Sequence, residues 1–167
     1  MAENWQASLS KGLADLERLV VLGTGNALKA DDAAGLLVVS LLDHHLTRRQ
    51  KSKVKVLRAY EIIDAILKKI KNLKPSHLII VDAINLGKKP GTIIATKIEP
   101  EKKRRKKAGG EFYSFLDKLS TETACQIYFL GIQPETLDFG HPITSSVKEA
   151  AKKIADFISR LASGKVN

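Results

Sequence analysis

Short apolar runs alternate with helix-periodic segments along nearly all of the 167-residue chain. Leu19 to Gly23 is apolar and ends in the turn GTGN, and from Asp32 the pattern AAGLLVVSLLDHHL continues as a largely apolar helix. Val54 to Ala59 alternates as a strand, after which Ile62, Ile63, Ile66, Leu67 and Ile70 mark one face of a helix whose other face is lysine-rich. Beyond Pro75, HLIIVDA is a continuous apolar run of the kind found in a central strand covered on both faces. Gly87, Pro90 and Gly91 punctuate the loop before a fourth strand in GTIIATKI. A helix around Phe112 to Leu119, a fifth strand from Cys125 to Ile132 and a last helix from about Ser145 to Leu161 complete the series. Such alternation predicts an α/β fold: a single-domain α/β/α sandwich on a mostly parallel, twisted sheet of about five strands with right-handed crossovers. Ahead of it, Trp5, Leu9, Leu13 and Leu16 recur at helical spacing, so residues 1–17 are expected to form a helical extension of the domain spanning 18–167.

Composition narrows the class. With 44% hydrophobic and 28% charged residues, the chain reads as an ordinary globular protein rather than a disordered or fibrous one. Cys125 is the single cysteine, which excludes an intramolecular disulfide and fits a reducing compartment. The first residues lack the basic start and apolar stretch of a secretory signal, and no later run approaches membrane-spanning length, so a cytoplasmic location without membrane insertion is expected. Of the net charge of +10, six positive charges come from Lys102, Lys103, Arg104, Arg105, Lys106 and Lys107, leaving +4 for the remainder. A local run of this kind reads as a solvated loop, and it lacks the interleaved aromatics of a single-stranded nucleic-acid platform, which ranks nucleic-acid binding last.

Ligands of open parallel sheets bind beyond the carboxyl ends of the strands, which directs attention to the loops after the first and third strands. Both carry aspartates: Asp31 and Asp32 in the first, Asp82 at the end of LIIVD. An ionised carboxylate at the end of so apolar a run needs a partner or a cation, and a shared site is physically reasonable. Helix capping accounts for one of the first pair, with Asp31 assigned near the cap and Asp32 turned toward the cleft. GTGN is not a dinucleotide fingerprint, since Leu28 stands where the third glycine belongs; Gly23 and Gly25 instead shape the cleft floor, and Asn26 bonds the loop or a substrate backbone. Of the four histidines, His44 and His45 diverge on a helix, His77 starts a strand at the end opposite the aspartates, and His141 follows the fifth strand at the cleft edge.

Three stretches in order, VLGTGNALKADDAAG (21–35), HLIIVDAINLGKKPGTI (77–93) and FLGIQPETLDFGHPITSSVKEA with its LGIQP core, resemble the endopeptidases that mature [NiFe] hydrogenases. The resemblance implies a sheet sandwiched by helices, and an enzyme that trims the carboxyl-terminal extension of the hydrogenase large-subunit precursor. It also implies a cleft in which three side chains meet nickel, supplied by the precursor, with other divalent metals able to substitute in vitro. Carried over by position, Asp32 and Asp82 are two of the metal contacts, and Gly23, Gly25 and Asn26 position substrate. The third contact in the family is a histidine, whose place falls near Ala108 in KKRRKKAGGEF; no histidine stands between His77 and His141. Glu111 and His141 are the candidates to replace it, and the alternative function is a non-catalytic homologue that binds or chaperones the precursor.

Overall fold

In the computed structural model, which describes residues 4–61, 64–99 and 110–164, the five apolar runs form one sheet. Strands β1 (Leu19–Thr24), β2 (Val54–Ala59), β3 (His77–Ala83), β4 (Ile93–Ile98) and β5 (Gln126–Ile132) lie in the order β2-β1-β3-β5-β4. All neighbours are parallel except β4, which runs antiparallel to β5. The connections explain that difference: β3 and β4 are joined by a helix-free loop that passes over the end of β5, where the Gly91 amide donates to the Gln133 carbonyl and the Gln133 amide to that of Thr92, each at 2.9 Å. The chain therefore returns in the opposite sense.

Because successive strand side chains point to opposite faces, β1 feeds two separate cores. Leu19 and Val21 enter the core under α2 (Ala34–His45), α6 (Ser145–Ala162) and the amino-terminal helix α1 (Trp5–Gly12), while Val20 and Leu22 enter the core on the other face. There Ile66, Leu67 and Ile70 of α4 (Asp64–Leu73) meet Phe115, Leu116 and Leu119 of α5 (Glu111–Glu122). This double coverage is why β1 and β3 are continuously apolar whereas the edge strand β2 is only partly buried. A one-turn helix, α3 (Gln50–Lys53), precedes β2 and has no sequence counterpart in the periodicity.

Helix α1 packs as part of the first core: Leu9 is fully buried, Trp5 meets Phe157 of α6 edge-on at 5.1 Å, and the Tyr128 hydroxyl donates to the Gly12 carbonyl at 3.0 Å. Beneath it, buried His77 has Nδ1 2.9 Å from the Ser76 hydroxyl and Nε2 3.3 Å from Asp15 Oδ1, at the edge of the sheet opposite the strand carboxyl ends. Among the described residues no helix is long and apolar enough to cross a membrane. Leu9→Ala leaves a cavity between α1, β4 and α6, and is expected to lower the unfolding free energy by about 2–4 kcal/mol in denaturant titrations; a change below about 0.5 kcal/mol would mean that α1 does not contribute to the core in solution.

Candidate active site

The carboxyl ends of β1, β3 and β5 and the loops that leave them build the cleft. Gly23, near the end of the buried strand β1, lies so close to α2 that a side chain there would strike the Gly35 carbonyl. Gly25 has φ +136, a conformation open to glycine, and a Cβ would collide with the Asp32 carbonyl. Asn26 closes the turn: its Oδ1 accepts from the Leu28 amide at 2.9 Å, and its own amide donates to Asp32 Oδ2 at 3.1 Å. These three residues thus set the path of the first loop, with Asn26 bonded to the loop backbone.

Helix formation does not begin at Asp32. A 3-10 turn, Ala30–Ala33, comes first, and buried Ala30 sits at φ 38 in the left-handed region, where an alanine persists only if its surroundings hold it. Asp31 does so. Its carboxylate makes no cap to its own turn; it accepts from the amides of Glu135 (2.8 Å), Thr136 (3.3 Å) and Thr144 (2.7 Å) and from the Thr144 hydroxyl at 2.9 and 3.0 Å. Thr144 is the N-cap residue of α6, so Asp31 serves a helix end more than a hundred residues away. Asp31, expected near the cap of the helix that follows it, caps neither that helix nor its own turn, because its carboxylate is taken up by the distant loop after β5 and by Thr144.

Asp32, half-buried, and Asp82, at the exit of β3, are close enough for the charge of one to act on the other. Burial pushes the Asp82 carboxyl up to about 6; the Thr24 hydroxyl and the Ala83 amide, which donates to Oδ1 at 2.8 Å, pull the other way, and the Asp32 charge adds to the rise. Each carboxylate takes a backbone amide on one oxygen and has lone pairs left over that can meet a cation. Among the described residues no three His, Cys, Asp or Glu side chains group so as to hold a metal ion. His141 is exposed in the loop between β5 and α6. Glu111 opens α5, but its side chain, like Ala108 and the run Lys102 to Lys107, lies outside the described residues.

One residue that sequence reading left without a role organises the second wall. Buried Gln133 accepts the Leu86 amide at 2.6 Å and the Lys88 amide at 3.3 Å through Oε1, and donates through Nε2 to the Pro134 carbonyl and to Asn85 Oδ1. It pins the loop that follows Asp82. A polar residue between Ile132 and Pro134 at the end of an apolar run was the available signal.

Comparisons with known proteins agree with this architecture. The family model described as HycI, hydrogenase maturation protease, matches residues 37–161, a span that includes Asp82 and begins just after Asp32. The hydrogenase 3 maturation protease of Escherichia coli is 29% identical over 139 residues, 81% of this chain and 85% of that one. The crystal structure of the [NiFe] hydrogenase maturation protease HycI of Thermococcus kodakarensis matches with a TM-score of 0.77 at 25% identity, over 93% of this chain and 99% of that chain. The solution structure of the endopeptidase HycI from Escherichia coli does so with a TM-score of 0.68 at 27% identity, over 90% and 92%. The chain belongs to the hydrogenase maturation protease family.

Two measurements test the geometry. Asp82 holds its proton more tightly when folded than an unfolded aspartate does, so its ionisation opposes folding: stability falls as pH rises from about 4 to about 6 and is then level. Asp82→Asn, which keeps the Oδ1 acceptor, is therefore expected to raise the unfolding free energy at pH 7 by roughly 1–3 kcal/mol, with the gain vanishing below about pH 4. Equal stability of the two proteins across that range would refute the assigned environment. Asp31→Ala strands three amides and a hydroxyl, and is expected to cost on the order of 3–5 kcal/mol at pH 7 in thermal or denaturant unfolding.

Proposed function

We propose that this protein is an endopeptidase that removes the carboxyl-terminal extension of a [NiFe] hydrogenase large-subunit precursor after nickel has been loaded, acting in the cytoplasm. Family membership supports the protease class and the precursor as partner. The observation that carries the finer reading is the placing of Asp32 and Asp82 on the loops that leave the carboxyl ends of the neighbouring strands β1 and β3, with the Asp82 carboxyl pushed up to about 6 mainly by burial and in smaller part by the Asp32 charge. Like-charged groups held together in a half-buried cleft favour a bound cation.

Nickel in this reading belongs to the substrate. Two carboxylates make a poor resident site for an ion that favours imidazole and thiolate donors, but they suit an ion that arrives with most of its own ligands and needs oxygen contacts to complete its shell. Asp32 and Asp82 then read the loading state of the precursor, and the loop from Gly23 to Asn26 positions the chain beside it. Glu111 and His141 remain the candidates for a third contact. The shortage of a third donor among the described residues favours the second reading, a homologue that binds the precursor without cutting it.

Incubation of the purified protein with its cognate precursor, with and without nickel, followed by mass spectrometry, separates the two. The expected result is nickel-dependent loss of a terminal peptide, reduced at least about 100-fold by Asp32→Ala and by Asp82→Ala. The rate is expected to rise through about pH 6, as Asp82 gives up its proton to meet the cation. Binding of the loaded precursor without cleavage at any pH would establish the second reading instead.

A further inference from the structure

Among the described residues, five of the six exposed large apolar side chains, Leu28, Tyr60, Ile84, Leu137 and Phe139, stand on loops that leave the carboxyl ends of strands; the sixth, Tyr113, is on α5. Two of them stand on loops that are joined to each other. Leu28 is 68% exposed and Phe139 65%; the Gly140 amide donates to the Leu28 carbonyl at 2.9 Å, and the Leu28 amide to Asn26 Oδ1 at 2.9 Å. The Lys29 ammonium lies 4.8 Å from the centre of the Phe139 ring, a cation–π contact that links the same two loops. Leu137, 48% exposed, stands between the Asp31-bonded amide of Thr136 and Phe139 on the same loop. Apolar side chains gathered on joined loops and left in water, rather than folded down onto the core, are the mark of a surface that a partner covers.

We propose that Leu28 and Phe139, flanked by Leu137, form an apolar subsite that takes one bulky aliphatic or aromatic side chain of the precursor, next to the segment presented to Asp32 and Asp82. The inference rests on the endopeptidase reading of the cleft. Continuity supports this occupant: Leu28 belongs to the loop that carries Asp32, linked to it through Asn26, whose amide donates to Asp32 Oδ2 at 3.1 Å. Size supports it as well. A stable dimer interface takes about 20–30 residues a side, whereas a few loop-borne side chains suffice for one residue of an extended chain.

Steady-state kinetics on the nickel-loaded precursor test this with Leu28→Ser and Phe139→Ser, each compared with a conservative variant, Leu28→Met and Phe139→Leu. Both serine variants are expected to raise KM about 10-fold or more with kcat within about threefold, and the conservative variants to recover most of the loss. Thermal unfolding of all four should match the parent, since the replaced side chains are exposed. One serine substitution among the bulky apolar residues flanking the cleavage point of the precursor should reproduce the KM defect and add little to Phe139→Ser. Unchanged KM in both serine variants, or a fall in kcat alone, overturns the subsite. Should the parent bind without cutting, the endopeptidase reading fails on its own, and calorimetric Kd values for the same variants carry the test: an unchanged Kd then overturns the subsite, a 10-fold weakening upholds it. Self-association that disappears in Phe139→Ser, with precursor affinity intact, would assign the patch to a second copy and overturn the proposal.

Discussion

The buried carboxylate of Asp31 is the fixed point about which the cleft is arranged. It takes the amides of Glu135, Thr136 and Thr144 and the Thr144 hydroxyl, so one side chain joins the loop after β1, the loop after β5 and the start of α6. Its neighbour Asp32, half-buried, takes the Asn26 amide of the first loop instead, because a turn this tight sends adjacent side chains in different directions. The left-handed Ala30 is tolerated for the same reason: the bonds on its carboxyl side outweigh a backbone cost of order 1–3 kcal/mol. Gln133 performs the matching task on the other wall with neutral chemistry, holding the Leu86 and Lys88 amides from beneath.

Between these two anchors sits the electrostatic tension of the site. Asp82 emerges from a run of buried apolar residues, and its surroundings do not fully compensate its charge. A carboxylate in that condition is an inexpensive place to add a cation, since the ion relieves both desolvation and the repulsion from Asp32. The same arrangement makes the protein less stable than a neutral equivalent would be, a common exchange at sites built to act on something else.

Much of this was legible in the sequence, for identifiable reasons. The strands were readable because β1 and β3 are covered on both faces and so carry uninterrupted apolar runs, while Val54 to Ala59, at the edge, was readable by its alternation. The position of Asp32 and Asp82 at one edge followed from parallel topology alone. The antiparallel sense of β4 was not readable, because it depends on how a helix-free loop passes over β5 rather than on residues within the strand. Nor were the roles of Asp31 and Gln133: both are set by partners distant in the chain, and a short-range reading sees only a capping residue and a polar interruption. The replacement of the expected histidine was visible, but its consequence was not, since a missing donor says nothing about which group fills its place.

The span of the Asp31 bonds has a further meaning. Their partners are separated from Asp31 by 104, 105 and 113 residues, close to two thirds of the chain. Contacts of such long range form late, because loop closure must be met before they can contribute. During synthesis, β1, α2 and β3 emerge well before β5 and α6, and for that interval the first loop has no partner to hold its left-handed turn. The cleft is thus completed only once β5 and the start of α6 have been made, and a copy that lacks them has the aspartates without the geometry that aims them.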